Sequence, residues 1–316
     1  MTTWCASPSR LGGACTRSGR RSLPAWRLPE KRRHDEDGKT LYFDCVMGAA
    51  GDMLLGALFA LAPAQDAFLQ AFAALELPGV ALTVQPVTQG ETRGVQMELT
   101  VGGVAESAAQ LPGAAPQHQH GHHHDHHHHH DHRSLPDVEA ILAGLPVSAW
   151  VAEQARAVYG RIAAAEAAAH GVPVRQVHFH EVGALDAIGD VVGCCMLLEQ
   201  LAPAYICASP VSTGRGTVRC AHGELPVPAP ATAFLLQGIP TQPGPAAVTG
   251  ELCTPTGAAL LAQFAASFGP RPALAEAACG CGFGTKRFPC PTVYGPGWGT
   301  RHVRGRGHKE TELAQL

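Results

Sequence analysis

The sequence contains no uncharged apolar run of about 18 residues or more, the length that a membrane-spanning helix needs. Charged residues are also scarce: Asp, Glu, Lys and Arg make up 16% of the 316 residues, and the formal net charge is −3. A chain without a basic excess is not expected to be a general nucleic-acid binder. The first 38 residues lack the continuous apolar stretch that export requires, so we expect a cytoplasmic protein without a membrane anchor.

Cysteine and histidine are the abundant reactive residues. The 11 cysteines are irregularly spaced, and in a cytoplasmic protein we expect most of them to be reduced, buried side chains.

Of the 18 histidines, 11 fall between His118 and His132. Such a run lacks a scaffold to fix catalytic geometry, but dense neutral imidazoles bind nickel, copper and zinc reversibly. The alternative is a low-complexity insert without function. The candidate metal ligands in this loop are His122, His123, His124, His126, His127, His128, His129 and His130.

The chain divides into five stretches, and their patterns predict an α/β fold with mixed sheets and packed helices, interrupted by a disordered His-rich loop. The stretches are a disordered basic extension (1–38), an N-terminal α/β unit (39–110), the His-rich metal-binding loop (111–133), a main α/β core (134–289) and an atypical basic tail (290–316).

Local patterns predict individual elements within these stretches. The alternation of apolar residues predicts strands at 41–43, 81–87 and 95–101, the last two around a turn at 89–94. Ser134 and Asp137 have capping-box spacing, and Val151–Ile162 shows the period of an amphipathic helix that ends at Gly171. Residues 184–201 indicate a more buried helix.

The segment His178–Gly183 carries the densest group of candidate ligands. Alternation in an extended segment places His178 and His180 on one face, with Glu181 beside them. Two imidazoles and a carboxylate suit a borderline metal such as nickel, zinc or iron, and Glu181 is also a candidate catalytic group. Asp186 and Asp190 follow on one helical face as candidate outer-shell partners. The alternative is a surface strand with two solvated histidines.

A second candidate group spans Cys220 to Glu224. A thiolate at Cys220 and an imidazole at His222 can share one face of a strand and suit nickel or copper(I), while His222 or Glu224 could act as a base. The alternative is a buried cysteine followed by a histidine in a turn.

Two glycine-containing turns are candidate cofactor-binding segments. In the first, a strand ends at Asp44, and Gly51 and Asp52 open a helix with Asp52 at the N-cap, where backbone amides favour anions. In the second, the hydroxyls of Thr254 and Thr256 lie beside Gly257 at a helix start and could hold a phosphate or a carboxylate. The alternatives are a simple N-cap and an ordinary strand-to-helix turn.

Taken together, these motifs resemble the LarC-type nickel insertion family, which completes the nickel-pincer nucleotide of lactate racemase. Several motifs in the same order carry the resemblance, which runs from about residue 39 to about residue 289. They are Leu41–Cys45, Gly48–Met53, the His-rich loop, His132–Leu135, Val177–Gly183, Cys220–Gly223, Pro226–Thr232 and Gly250–Gly257.

The resemblance implies an enzyme, a nickel chelatase of the lyase class. The family inserts Ni(II) into pyridinium-3,5-bisthiocarboxylic acid mononucleotide, forming nickel–sulfur bonds and a nickel–carbon bond, and hydrolyses CTP with Mn(II) or Mg(II). The implied partners are the pincer nucleotide precursor, lactate racemase-type apoenzymes, a separate protein that supplies a missing domain, and further copies of this chain.

The chain departs from the family pattern near its end. Full-length members carry a further C-terminal domain, associated with nucleotide binding, which we expect to be absent here. After Pro289 the residues differ from the family's usual continuation, but a neighbouring reading frame can spell a family-like sequence. We therefore hypothesise a frameshift near Cys290, which resequencing the gene would test.

Two other functions fit the same residues. A non-enzymatic nickel store or metallochaperone would depend on the run His118–His132, whereas a metal-dependent hydrolase would use His178, His180, Glu181 and His222 without any pincer nucleotide.

Overall fold

An eight-stranded mixed sheet forms the centre of the fold. The computed structural model describes residues 39–105, 133–179, 182–220, 223–272, 275–285 and 299–304, all within one compact unit. In spatial order, the strands of the sheet are β14 (Ser267–Phe268), β7 (Tyr205–Ala208), β1 (Lys39–Asp44), β16 (Gly299–Arg304), β15 (Ala275–Phe283), β3 (Thr92–Val101) and β2 (Val80–Gln89), with β4 (Val104–Ala105) also paired to β3.

Strand directions in this sheet are mixed, as predicted. The β7 strand runs parallel to both β1 and β14, and β15 runs parallel to β3, whereas β16 is antiparallel to its neighbours β1 and β15. The described residues also form four two-stranded sheets beside the eight-stranded sheet. They pair β5 (Arg133–Ser134) with β6 (His178–Phe179), β8 (Val211–Ser212) with β12 (Thr241–Gln242), β9 (Gly214–Arg215) with β13 (Gly250–Glu251), and β10 (Thr217–Cys220) with β11 (Gly223–Pro226).

Helices pack against the sheet and complete the predicted α/β architecture. The described residues form α1 (Gly51–Leu61), α2 (Gln65–Ala73), α3 (Leu135–Gly144), α4 (Ala149–His170), α5 (Leu185–Leu201), α6 (Pro230–Leu235) and α7 (Pro255–Phe264). None of the helices in the described ranges is long and apolar enough to cross a membrane.

Local signals account for several of these boundaries. The Asp137 carboxylate accepts hydrogen bonds from the backbone N–H and the hydroxyl of Ser134, at 2.8 and 2.6 Å, which confirms the capping-box prediction. These bonds hold the pKa of Asp137 below its usual value. Helix α4 ends at Gly171, whose φ of +68° glycine adopts without strain, again as predicted.

Two predicted boundaries were wrong. Helix α1 begins at Gly51 with Ala50 as its N-cap, so Asp52 lies in the first turn and accepts a hydrogen bond from the Met53 N–H at 2.8 Å. The mistake has a physical basis, because an acidic side chain is favourable throughout the first turn of a helix. Strands β2 and β3 extend to Gln89 and Thr92, so their connecting turn is only two residues long.

The turn after β1 and the turn before α7 pack together to form what we call the double turn, residues 44–52 and 252–257. The Ala49 N–H donates to the Leu252 carbonyl at 3.0 Å, and the Thr254 N–H donates to the Ala49 carbonyl at 3.0 Å. A Cβ at Gly257 would lie 2.2 Å from the Ala49 carbonyl oxygen. Only glycine therefore allows α7 to begin so close to the β1 turn.

The close approach at Gly257 predicts a large difference between two helical glycines. Gly257→Ala should lower the free energy of unfolding by about 2 kcal/mol or more, because the methyl group collides with backbone atoms. In Gly160→Ala, within α4, the added methyl group has nothing within 4 Å, so this substitution should raise the free energy of unfolding by about 0.5–1 kcal/mol. Urea denaturation of both variants measures the difference, and equal stabilities would contradict the packing of the double turn.

Candidate functional site

The double turn brings together the two segments predicted to bind a cofactor. Asp44 ends β1, and its Oδ1 accepts the Val46 N–H at 3.3 Å. Gly51 is buried against α5, where a Cβ would lie 2.5 Å from Asp190 Oδ2. Asp52 Oδ2 accepts the Thr285 N–H at 3.3 Å, which ties the residues after β15 to the start of α1.

The second half of the double turn is a capped helix start. Thr254 is the N-cap of α7, and its hydroxyl oxygen accepts the Gly257 N–H at 3.2 Å. Thr256 is buried within the first turn. The backbone of this segment is therefore an ordinary strand-to-helix turn, as in the alternative interpretation of the sequence. Its meeting with the β1 turn nevertheless places the N-termini of α1 and α7 side by side.

Buried hydroxyl groups that sequence reasoning did not single out hold the β1 turn in place. Ser209 Oγ accepts the Cys45 N–H at 2.8 Å, and Ser212 Oγ donates to the Val46 carbonyl. Gln242 donates in turn to Ser212 Oγ at 3.1 Å. These serines lie far along the chain from the turn, so no local pattern could have indicated their role.

Helix α5 brings the carboxylate of Asp190 to the double turn. Asp186 is buried in its first turn, and Asp190, one turn later, lies against Gly51. The Cys194 thiol contacts the Gly51 carbonyl at 3.9 Å. Burial, followed by the nearby Asp190, Cys195 and Asp52 groups, raises the pKa of this thiol well above its usual range. The carboxylate of Asp190 therefore lies at the double turn.

The predicted ligand segment His178–Gly183 leads into α5. His178 is exposed and pairs with Ser134 across β6 and β5, whereas His180 and Glu181 lie outside the described residues. Side-chain hydrogen bonds hold the backbone of the next two residues, Val182 and Gly183. The Tyr159 hydroxyl donates to the Val182 carbonyl at 3.1 Å, and Arg133 Nη1 donates to the Gly183 carbonyl at 3.0 Å.

The Cys220–Glu224 segment forms a hairpin next to the strand that enters the double turn. Cys220 is half-buried and pairs with Gly223, while Ala221 and His222 lie outside the described residues. Glu224 is exposed, and its Oε1 accepts a hydrogen bond from the Thr217 hydroxyl at 2.6 Å. Strand β10 of this hairpin packs beside β13, which continues into Leu252.

The predicted ligands that lie within the described residues do not form a metal site by themselves. Within the described ranges, no three His, Cys, Asp or Glu side chains lie close enough to hold a metal ion. Several candidates fall outside those ranges, so their roles stay predictions: His180, Glu181, His222 and the whole His122–His130 group.

An apolar gap of about 10 Å³ beneath α1, between Phe43, Leu54 and Cys194, has room for about one water molecule and none for a nucleotide.

Comparison with known proteins matches most of the chain to one family. The model of the nickel insertion protein family matches residues 41–295. The pyridinium-3,5-bisthiocarboxylic acid mononucleotide nickel insertion protein of Lactiplantibacillus plantarum is 41% identical over 251 residues, covering 78% of this chain and 58% of the relative. The protein of the same name from Desulfitobacterium hafniense is 37% identical over 255 residues, covering 81% of this chain and 57% of the relative.

A relative from Geotalea uraniireducens is 40% identical over 252 residues, covering 79% of this chain and 58% of its own length. The chain thus spans less than two thirds of the length of these relatives. No solved structure matches it significantly.

The burial of the double turn predicts which described cysteines react. Burial raises the pKa of the Cys45, Cys194 and Cys253 thiols, so the thiolates that react with alkylating agents are scarce there. Iodoacetamide at pH 8 should modify exposed Cys279 rapidly and leave these three protected until urea is added. Peptide mass spectrometry measures this pattern, and labelling of Cys253 as fast as Cys279 in the folded protein would contradict it.

Proposed function

Since this chain belongs to the nickel insertion protein family, we propose that it takes part in inserting Ni(II) into pyridinium-3,5-bisthiocarboxylic acid mononucleotide, as an enzyme that completes a nickel-pincer cofactor. The observation that carries the proposal is the match over residues 41–295, which includes both halves of the double turn and the two candidate ligand segments, His178–Gly183 and Cys220–Glu224. The packing of helix α5 and of the Cys220 hairpin next to the double turn supports a shared site for metal and nucleotide.

In this proposal His178, His180, Glu181, Cys220 and His222 bind the nickel that is to be transferred. Imidazole and thiolate are good donors for a borderline divalent ion, and exchange for the two thiocarboxylate groups of the precursor would transfer the metal. Asp186 and Asp190, on the helix that follows the first ligand segment, are the candidate outer-shell partners of these ligands.

Formation of the nickel–carbon bond requires the loss of the proton on the ring carbon. That proton must pass to a base as the electron pair of the C–H bond moves to the metal, so the ring is metallated and the base is protonated. Glu181, His222 and Glu224 are the candidate bases. Of these, Glu224 is exposed and carries a hydrogen bond from Thr217, which fixes its carboxylate on the hairpin that also bears Cys220.

We assign the nucleotide phosphate to the double turn, which contains the cofactor-binding candidates Asp44, Gly51, Asp52, Thr254, Thr256 and Gly257. The N-termini of α1 and α7 meet there, and their helix dipoles attract an anion. We further propose that CTP, with Mn(II) or Mg(II), drives insertion in the whole protein. We assign no residue to this step, because the described residues hold no group of three metal donors.

The same proposal places the reaction in the cytoplasm, with the precursor as substrate and a lactate racemase-type apoenzyme as recipient. The buried cysteines Cys45, Cys194, Cys195, Cys207, Cys253 and Cys281 are thiols, which supports a reducing compartment. The chain could act as a homo-oligomer. The other candidate function, nickel storage, rests on the eleven histidines between His118 and His132.

Replacement of the proposed ligands His178 and His222 should impair insertion specifically. His178→Ala and His222→Ala should each lower the rate of precursor metallation about tenfold or more at limiting nickel, because each removes one donor. His170→Ala is the matched control, since His170 lies at the end of α4 beside Glu166. Mass spectrometry of the precursor, with and without CTP, measures metallation.

Nickel should also slow the alkylation of Cys220 and leave that of Cys279 unchanged. This protection does not depend on CTP and therefore tests the ligand set separately from turnover. Full metallation by both histidine variants, together with unprotected Cys220, would refute the assigned ligands.

Deletion of residues 118–132 separates insertion from storage. The deletion should reduce the number of nickel ions bound per chain, because it removes eleven imidazoles, while metallation at saturating nickel should persist. Equilibrium dialysis measures the bound nickel, and the metallation assay measures turnover. If the wild-type chain binds nickel but never metallates the precursor, with or without CTP and the recipient protein, storage becomes the better account.

A further inference from the structure

The two ends of the ligand segment His178–Gly183 meet each other in space. A Cβ built on Gly183 would lie 2.7 Å from the Phe179 Cβ, so residues four positions apart are in direct contact. Phe179 itself is buried, which fixes its position. The candidate ligands His180 and Glu181 lie between these two residues in the sequence, and they are therefore tethered to the same place from both sides.

Arg133 holds both ends of the ligand segment. Its backbone pairs with Phe179 across β5 and β6, and its Nη1 donates to the Gly183 carbonyl at 3.0 Å. Its Cβ would also lie 3.4 Å from a Cβ on Gly183. A single residue thus joins the strand that enters the segment to the residues that lead into α5.

Tyr159 holds the same segment from helix α4. Its ring is fully buried and lies against Phe179, with 5.9 Å between the ring centroids, and its hydroxyl donates to the Val182 carbonyl at 3.1 Å. Burying a hydroxyl group costs free energy unless it is hydrogen-bonded, and phenylalanine would fill this position without that cost. What the hydroxyl adds is a bond to the backbone directly after Glu181.

A segment that is held before it meets a metal should bind that metal more tightly. A flexible segment loses conformational entropy when its side chains gather around an ion, and this loss weakens binding. A segment whose backbone is already held loses less entropy, so the same donors give a higher affinity. The exposed imidazole of His178 lies at the held end of the segment, on β6, where a nickel ion can reach it.

We propose that Tyr159 is a positioning residue for nickel, which holds the ligand segment in its binding conformation through the Val182 carbonyl without touching the metal. This inference rests on the proposed function and deepens it, because it names a residue that sets nickel affinity rather than a further ligand. Since Arg133 holds Gly183 independently, loss of the Tyr159 hydroxyl should loosen the segment without unfolding the chain.

The test measures nickel binding at the ligand segment alone, in the full chain. Diethyl pyrocarbonate modifies imidazoles that are not bound to a metal, so increasing nickel should protect His178 and His180. Their tryptic peptide, 176–215, contains no residue of the His-rich loop, and peptide mass spectrometry therefore reports this segment separately.

Tyr159→Phe keeps the buried ring and removes only the hydroxyl. It should raise the nickel concentration that gives half-protection by about tenfold, as expected for the loss of a group that orients metal ligands. Tyr205→Phe is the matched control, because it removes a hydroxyl that donates to Ser267 Oγ at 2.8 Å between β7 and β14, and it should bind nickel like the wild type. Tyr159→Phe should also metallate the precursor more slowly at limiting nickel but at the wild-type rate at saturating nickel.

The outcomes separate this inference from the proposed function. If Tyr159→Phe lowers the free energy of unfolding in urea but leaves the half-protection concentration unchanged, the hydroxyl is only structural and the inference is refuted. It is also refuted if nickel fails to protect His178 and His180 in the wild type, even when the precursor is metallated. If the shift in Tyr159→Phe is present but the wild type never metallates the precursor, the proposed function fails and the inference stands.

Discussion

The backbone of Ala49 is the point on which the candidate site depends. Its N–H and carbonyl bond to Leu252 and Thr254, so that a single residue joins the turn after β1 to the start of α7. The bonds require close approach, which the absence of a side chain at Gly257 permits. Because a buried backbone group without a partner is costly, these two bonds fix both the spacing and the direction of the helix starts.

Helix α5 and strand β13 connect the two candidate ligand segments to this junction. Helix α5 begins just after the His178–Gly183 segment and places Asp190 against Gly51 within its second turn. Strand β13 runs from beside the Cys220 hairpin into Leu252. A junction with the candidate ligand segments at its margins would suit the proposed reaction, which must align a borderline metal, a ring carbon and a base, since small errors in alignment slow such reactions strongly.

Much of the fold could be predicted from the sequence because its signals are local. The capping box at Ser134 and Asp137, the apolar period of α4 and its glycine stop, and the buried character of α5 each depend on residues a few positions apart. The error at Asp52 shows the limit of such signals, since the first turn of a helix accepts an acidic side chain at several positions. For the site, each turn could be recognised separately, but not their pairing.

By itself, the sequence determined the α/β class, the longer helices and strands, the family and the residue types available for nickel and nucleotide chemistry, because these depend on composition, periodicity and motif order. Only the tertiary structure decided that the β1 turn meets the α7 turn, that Asp190 contacts Gly51, and that Ser209 and Ser212 support Val46. The reason is physical. These contacts are made largely by backbone atoms and by small side chains far apart along the chain, and such atoms leave no local pattern in the sequence.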